Sequence, residues 1–187
     1  AFLVLGLIGG LLSEMIVRMA WYADVSSHVP LGETARITVT FLLLVLGVNG
    51  GTAAASLVSR RVLGDGFREN FARFGLALLP LTLAAYLAFH SYYLVHLGTQ
   101  LPKLAWQTFG FEIFRAVAIE ISPSITHAAQ VIVILAGLVL TLMVIYRLSR
   151  GSSDSPQKVM IGFVSHAAVV VTLSVILIKA MGIYFYG

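Results

Sequence analysis

The chain contains no cysteine. Disulfides, thiolate-ligated zinc and iron–sulfur clusters held within these residues are therefore excluded, and a metal or cofactor would have to use histidine, carboxylate, methionine or backbone groups. Charge is scarce as well: charged residues make up 11% of the 187, against 59% that are hydrophobic. A mean hydropathy of +0.95 is more than one soluble core can bury, so lipid must solvate the surplus. Lipid demands that every backbone polar group be satisfied internally, which leaves helices or closed barrels. The unbroken apolar runs at 41–48 and 131–140 do not alternate as barrel strands do. These absences define an all-α integral membrane protein.

What is present divides into spans of roughly 20 apolar residues. Five are expected, at about 1–22, 37–58, 74–97, 124–146 and 159–184, forming one transmembrane domain with neither a soluble domain nor an internal repeat. The connections carry the charge unevenly. Arg60, Arg61, Arg68 and Arg73 follow the second span, and Arg147, Arg150 and Lys158 follow the fourth. The other connections hold Asp24, Glu33 and Arg36, then Lys103, Glu112, Arg115 and Glu120. The positive-inside rule places the arginine-rich end in the cytoplasm, with the N-terminus inside and the C-terminus outside. The net charge of +4 is thus a topology signal rather than a sign of nucleic-acid binding. The chain opens on Ala1 within an apolar run, as a processed or cropped chain would; Glu14 and Arg18 interrupt that run, against a signal peptide.

The outer connection at about 99–122 is rich in Leu104, Trp106, Phe109, Phe111, Phe114 and Val117, which predicts an interfacial segment. Ser122 and Pro123 then predict a helix start, serine as the cap and proline in the first turn. Gly47, Gly51 and Ala55, like Gly6 and Gly10, recur every four residues, a spacing that lets helices approach closely in lipid.

Ionisable residues inside an apolar span are costly and point to function or to a specific partner. Glu14 and Arg18, four apart, predict an intramembrane ion pair. At about 1.5 Å of rise per residue, His90 lies about 12 Å below the outer boundary and His96 and His127 within about 6 Å of it, whereas His166 stands alone about 12 Å from the inner one. A b-type haem needs two imidazoles facing each other at one depth. His127 with His90 or His96 is the candidate pair; the latter two, six residues apart, point in different directions. One outer-side haem b, a quinone contact and a copper site all remain open, beside plain hydrogen-bonded packing of each histidine.

The run 73–98, RFGLALLPLTLAAYLAFHSYYLVHLG, with its R-F-x-x-x-L-x-P-L opening and His-containing end, resembles the membrane segment of FixG/NapH/NosR-type polyferredoxin proteins. The following span is similar in its order of His, Gln, Gly and terminal Tyr-Arg, and the likeness covers about half the chain. That family is defined by cysteine-rich cluster motifs, which this chain lacks. The resemblance implies membrane-associated electron transfer or cofactor maturation, with the clusters borne elsewhere. The expected function is a membrane-embedded subunit or domain of a redox complex in a bacterial inner membrane, at most a non-catalytic or electron-transfer part of an oxidoreductase, partnered by lipid and other subunits. The alternatives are a purely structural membrane subunit and a small metal or ion permease.

Overall fold

The computed structural model describes residues 1–110 and 121–186. Among these residues every regular element is a helix: α1 (Phe2–Val17), α2 (Ala20–Ser27), α3 (Glu33–Leu63), α4 (Phe67–Ala77), α5 (Leu79–Phe109), α6 (Pro123–Gly151) and α7 (Pro156–Tyr186). Four helical units are long and apolar enough to cross a membrane, namely α3, α4 with α5, α6 and α7; α1 with α2 makes a fifth if that bent pair is one span.

The helix ends follow from local chemistry. Gly64 closes α3 at φ +81° with Arg60 and Arg61 in the last turn, so the left-handed cap falls where only glycine is unstrained and the cations meet the negative end of the helix dipole. Ser122 and Pro123 start α6 as expected, but the serine side chain makes no cap bond; its carbonyl accepts from Ile125 and Thr126 instead. The stretch read as a first span over 1–22 breaks at Arg18, and α2 turns away by 84°. Part of the expected interfacial segment, residues 99–109, continues α5 as helix. Its remaining apolar positions, Phe111, Phe114 and Val117, and the charges Glu112, Arg115 and Glu120 lie outside the described residues.

Between α4 and α5, Pro80 has no amide hydrogen and cannot continue the ladder. The amide of Leu81 turns to α6 and donates to Thr141 Oγ1 at 3.0 Å. One turn earlier on α6, Gly137 lies so close to α5 that an added Cβ would stand 3.1 Å from the Pro80 carbonyl oxygen and against Ala84. The bend in one helix is thereby seated in a small-residue face of the next.

The helices close a ring in which α1 meets α3, α3 meets α7, α7 meets α6 and α6 meets α5, while α1 also touches α5 and α7. Leu5, Ile8, Phe74, Leu81, Ile134 and Leu177 fill its interior. Buried with them are Thr52, Ser56, Asn70, Gln130, Thr141 and His166, while leucine, isoleucine and valine cover the outside. Apolar surface facing lipid costs nothing and interior hydrogen bonds join helices there, so this distribution is the one a bilayer favours.

Candidate functional site

The arginine-rich connections, α3 to α4 and α6 to α7, lie at one end of the bundle. Arg73 on α4 is held by Glu69 at 2.7 Å, Asp65 at 3.3 Å and Ser152 Oγ at 2.8 Å. The opposite end carries the cluster of Tyr92, Tyr93, Tyr184, Phe185 and Tyr186 and four of the five histidines.

At that histidine end α5 supplies Tyr92, Tyr93 and His96, α6 supplies His127 and Gln130, and α7 supplies Gly182 and the run Tyr184, Phe185, Tyr186. Tyr92 stacks on Phe185 with ring centres 4.0 Å apart, and on His96 at 4.3 Å. Tyr186 presents its edge to Tyr92 at 5.9 Å and to His127 at 4.9 Å. Gln130 holds the three helices in register: its Nε2 donates to the Ala88 carbonyl at 2.9 Å, and its Oε1 accepts from the Tyr186 hydroxyl at 3.2 Å. His127 sits over Gly182, its Cε1 3.6 Å from where a Cβ would stand, an ordinary van der Waals contact.

His96 and His127 therefore belong to one aromatic cluster, and each has a buried Nδ1 with no hydrogen-bond partner among the described residues. His90 does not belong. It is exposed, and its ring contacts among the described residues are with Tyr86 and Phe89 on its own helix. His96 and His127 are joined through Tyr92 and Tyr186, and His127 also sits against Gly182. Among the described residues no three histidines or carboxylates converge as a metal site would require.

Glu14 and Arg18 do pair, at 2.7 Å, with both side chains about half exposed. Because α1 ends at Val17, the pair lies at the bend near the histidine end, beside a cleft of about 530 Å3 lined by Ser13, Thr38 and Phe41. Arg18 Nη1 donates to the Tyr184 hydroxyl at 3.4 Å, and that hydroxyl shares a hydrogen bond with Tyr93 at 2.9 Å. The ion pair is thus tied to the aromatic cluster, a link between residues 166 apart that no sequence spacing announces.

The small-residue positions divide differently from their spacing. Gly47 has nothing within 4 Å and Gly51 only Val169 at 3.8 Å; both line an apolar groove of about 430 Å3 between α3 and α7. The close approaches fall instead at Gly9, where an added Cβ would stand 2.7 Å from the Val45 Cα, and at Gly75, Gly137 and Gly162.

One buried polar centre escaped the sequence pattern. His166 is 2% exposed and stacks on Phe74 at 3.8 Å. Its Nε2 lies 3.3 Å from Ser56 Oγ, and its Nδ1 lies 3.0 Å from the Gly162 carbonyl, which accepts. Thr52, Ser56 and Ser59, spaced four and three apart on α3, were the available signal for a polar face there.

Comparison of the chain with protein-family models, with curated proteins and with solved structures matches it to none of them. The fold by itself gives the class: an all-helical bundle with the four to five apolar helices of a multi-pass membrane protein.

Proposed function

We propose that this protein is the membrane-embedded subunit or domain of a redox complex, multi-pass in a bacterial inner membrane with its arginine end cytoplasmic, and that its histidine end contacts a quinone headgroup. The observation that carries the proposal is the pair of imidazoles, His96 and His127, each with a buried Nδ1 that has no partner among the described residues, set around the stacked rings of Tyr92 and Phe185 and the ring of Tyr186. A quinone is a flat ring with two carbonyl oxygens. Aromatic faces stack on the ring, and an imidazole N–H donates to a carbonyl. The likeness of 73–98 to the membrane segment of FixG/NapH/NosR-type proteins supports the same class of work, with electrons delivered by a cluster-bearing partner. His127→Ala in the purified complex is expected to weaken binding of a quinone analogue on the order of tenfold, the loss of one hydrogen bond to a buried group, while the complex stays assembled. Unchanged binding in both His127→Ala and His96→Ala would overturn the quinone contact, and a Soret band that His127→Ala removes would replace it by haem.

A second, purely structural reading rests on the groove lined by Gly47 and Gly51, which has room for side chains of a partner helix. Loss of assembly in Gly51→Leu, with turnover unchanged when His96 and His127 are both replaced, would favour it.

A further inference from the structure

Beneath the bend between α1 and α2, a furrow runs between α1 and α3. Toward the membrane centre it is the cleft of about 530 Å3 beside Glu14 and Arg18, with Gly10 and Phe41 among its walls. Toward the histidine end it is a second cleft, of about 280 Å3, lined by Tyr22, Ser26, Glu33 and Arg36. Val17 and Ile37 line both clefts, so the two adjoin. α2 turns 84° from α1 and roofs the second cleft, tied to α3 at two points. The Tyr22 and Thr40 hydroxyls share a hydrogen bond at 2.9 Å, and Arg36 Nη1 donates to the Ser26 carbonyl at 2.7 Å.

The polarity of the furrow is graded with depth. α3 brings Glu33 and Arg36 at its start and Phe41 deeper, about 8 Å below Arg36 at roughly 1.5 Å per residue. α1 runs the other way, with Arg18 at the bend, Glu14 one turn below it and Gly10 a turn below that. Arg18 and Arg36 flank the junction, each next in sequence to a residue that lines both clefts. Among the described residues neither Glu33 nor Arg36 is in an ion pair, and Glu33 is exposed. Any helix end at headgroup level meets lipid. Particular to this furrow is the order of its walls: a free carboxylate outermost, two guanidiniums next, and apolar side chains beneath.

We propose that this furrow binds a glycerophospholipid with a phosphoethanolamine headgroup. The same order runs along that molecule: a primary ammonium outermost, a phosphate next and acyl chains beneath. The phosphate lies between Arg18 and Arg36, since guanidiniums meet phosphate oxygens through charge-assisted, often paired hydrogen bonds. Glu14, bound to Arg18 at 2.7 Å, holds that guanidinium in place. The ammonium, with three N–H donors, meets Glu33 under α2, and an acyl chain descends past Val17, Ile37 and Phe41. A glycerol headgroup brings no cation to Glu33, and a choline headgroup has no N–H to donate to it. The site uses none of the residues assigned to the quinone contact.

The test titrates the full chain, purified in a mild detergent and stripped of lipid, with short-chain phospholipids and counts the bound states by native mass spectrometry. Phosphatidylethanolamine is expected to bind about tenfold more tightly than phosphatidylglycerol, as one hydrogen bond between charged groups allows. Glu33→Gln, an exposed change at the start of α3, is expected to erase that preference. Asp24→Asn, equally exposed on α2 but outside the furrow, is expected to leave it intact. Free phosphoethanolamine, which has no acyl chains, is expected not to bind at the same concentrations. Equal affinity for the two lipids, a preference that survives Glu33→Gln or is lost in Asp24→Asn, or equally tight binding of free phosphoethanolamine would overturn the proposal.

Discussion

At the scale of single residues, glycine spacing marks positions where helices can meet, but neighbours decide where they do. Gly9 faces the Val45 backbone, whereas Gly47, in a more regular motif, faces open groove. Gly9→Ala is expected to destabilise the bundle by about 1–3 kcal/mol, because the atom that must give way is main chain. Gly47→Ala is expected to be neutral or slightly stabilising through helix propensity. Thermal unfolding of the two variants in detergent checks the contrast, and equal losses would show that the spacing, not the contact, governs packing. The same rule separates the histidines. His90 and His96 are alike in sequence context, yet one faces outward and the other stacks on Tyr92.

At the scale of elements, the proline break defines the architecture. Pro80 was visible within an apolar span, and its chemistry requires that the ladder fail there. What the freed Leu81 amide finds, Thr141 on a helix 60 residues away in sequence, follows only from packing. Thr141→Val keeps the shape but leaves that buried amide unpaired, at an expected cost of about 1 kcal/mol, within the range measured for polar contacts between membrane helices. Lowered thermal stability together with faster hydrogen exchange at Leu81 is the expected outcome; an unchanged exchange rate would show that the amide has another partner. The first span illustrates the opposite limit. Its composition reads as continuous, while Arg18, Met19 and the turn of α2 place Glu14 and Arg18 at a bend rather than deep in a span.

At the scale of the whole molecule, charge distribution sets the expected orientation of the bundle. Gln157 lies at the arginine end and Ser27 at the histidine end, both exposed. Against the cysteine-free background, Ser27→Cys is expected to react with a membrane-impermeant maleimide in intact cells, and Gln157→Cys only after the membrane is opened. The reverse pattern would invert the topology and move the aromatic cluster to the cytoplasmic face. The arginines set this expectation because a guanidinium is costly to carry across a bilayer, irrespective of what the helices contact.

The sequence by itself determined that the protein is helical and apolar enough for several membrane spans, and that thiolate chemistry is absent from it. Those properties are sums over composition and short-range periodicity, since burial in lipid needs only length and the absence of charge. The tertiary structure alone decided which histidines share a cluster, that Arg18 reaches Tyr184, that His166 rests on Phe74 and Ser56, and that Gly9 and Gly137 carry close contacts. Each of these joins residues on different helices, and the rotation of one helix about its axis relative to another is set by the fit of many side chains at once.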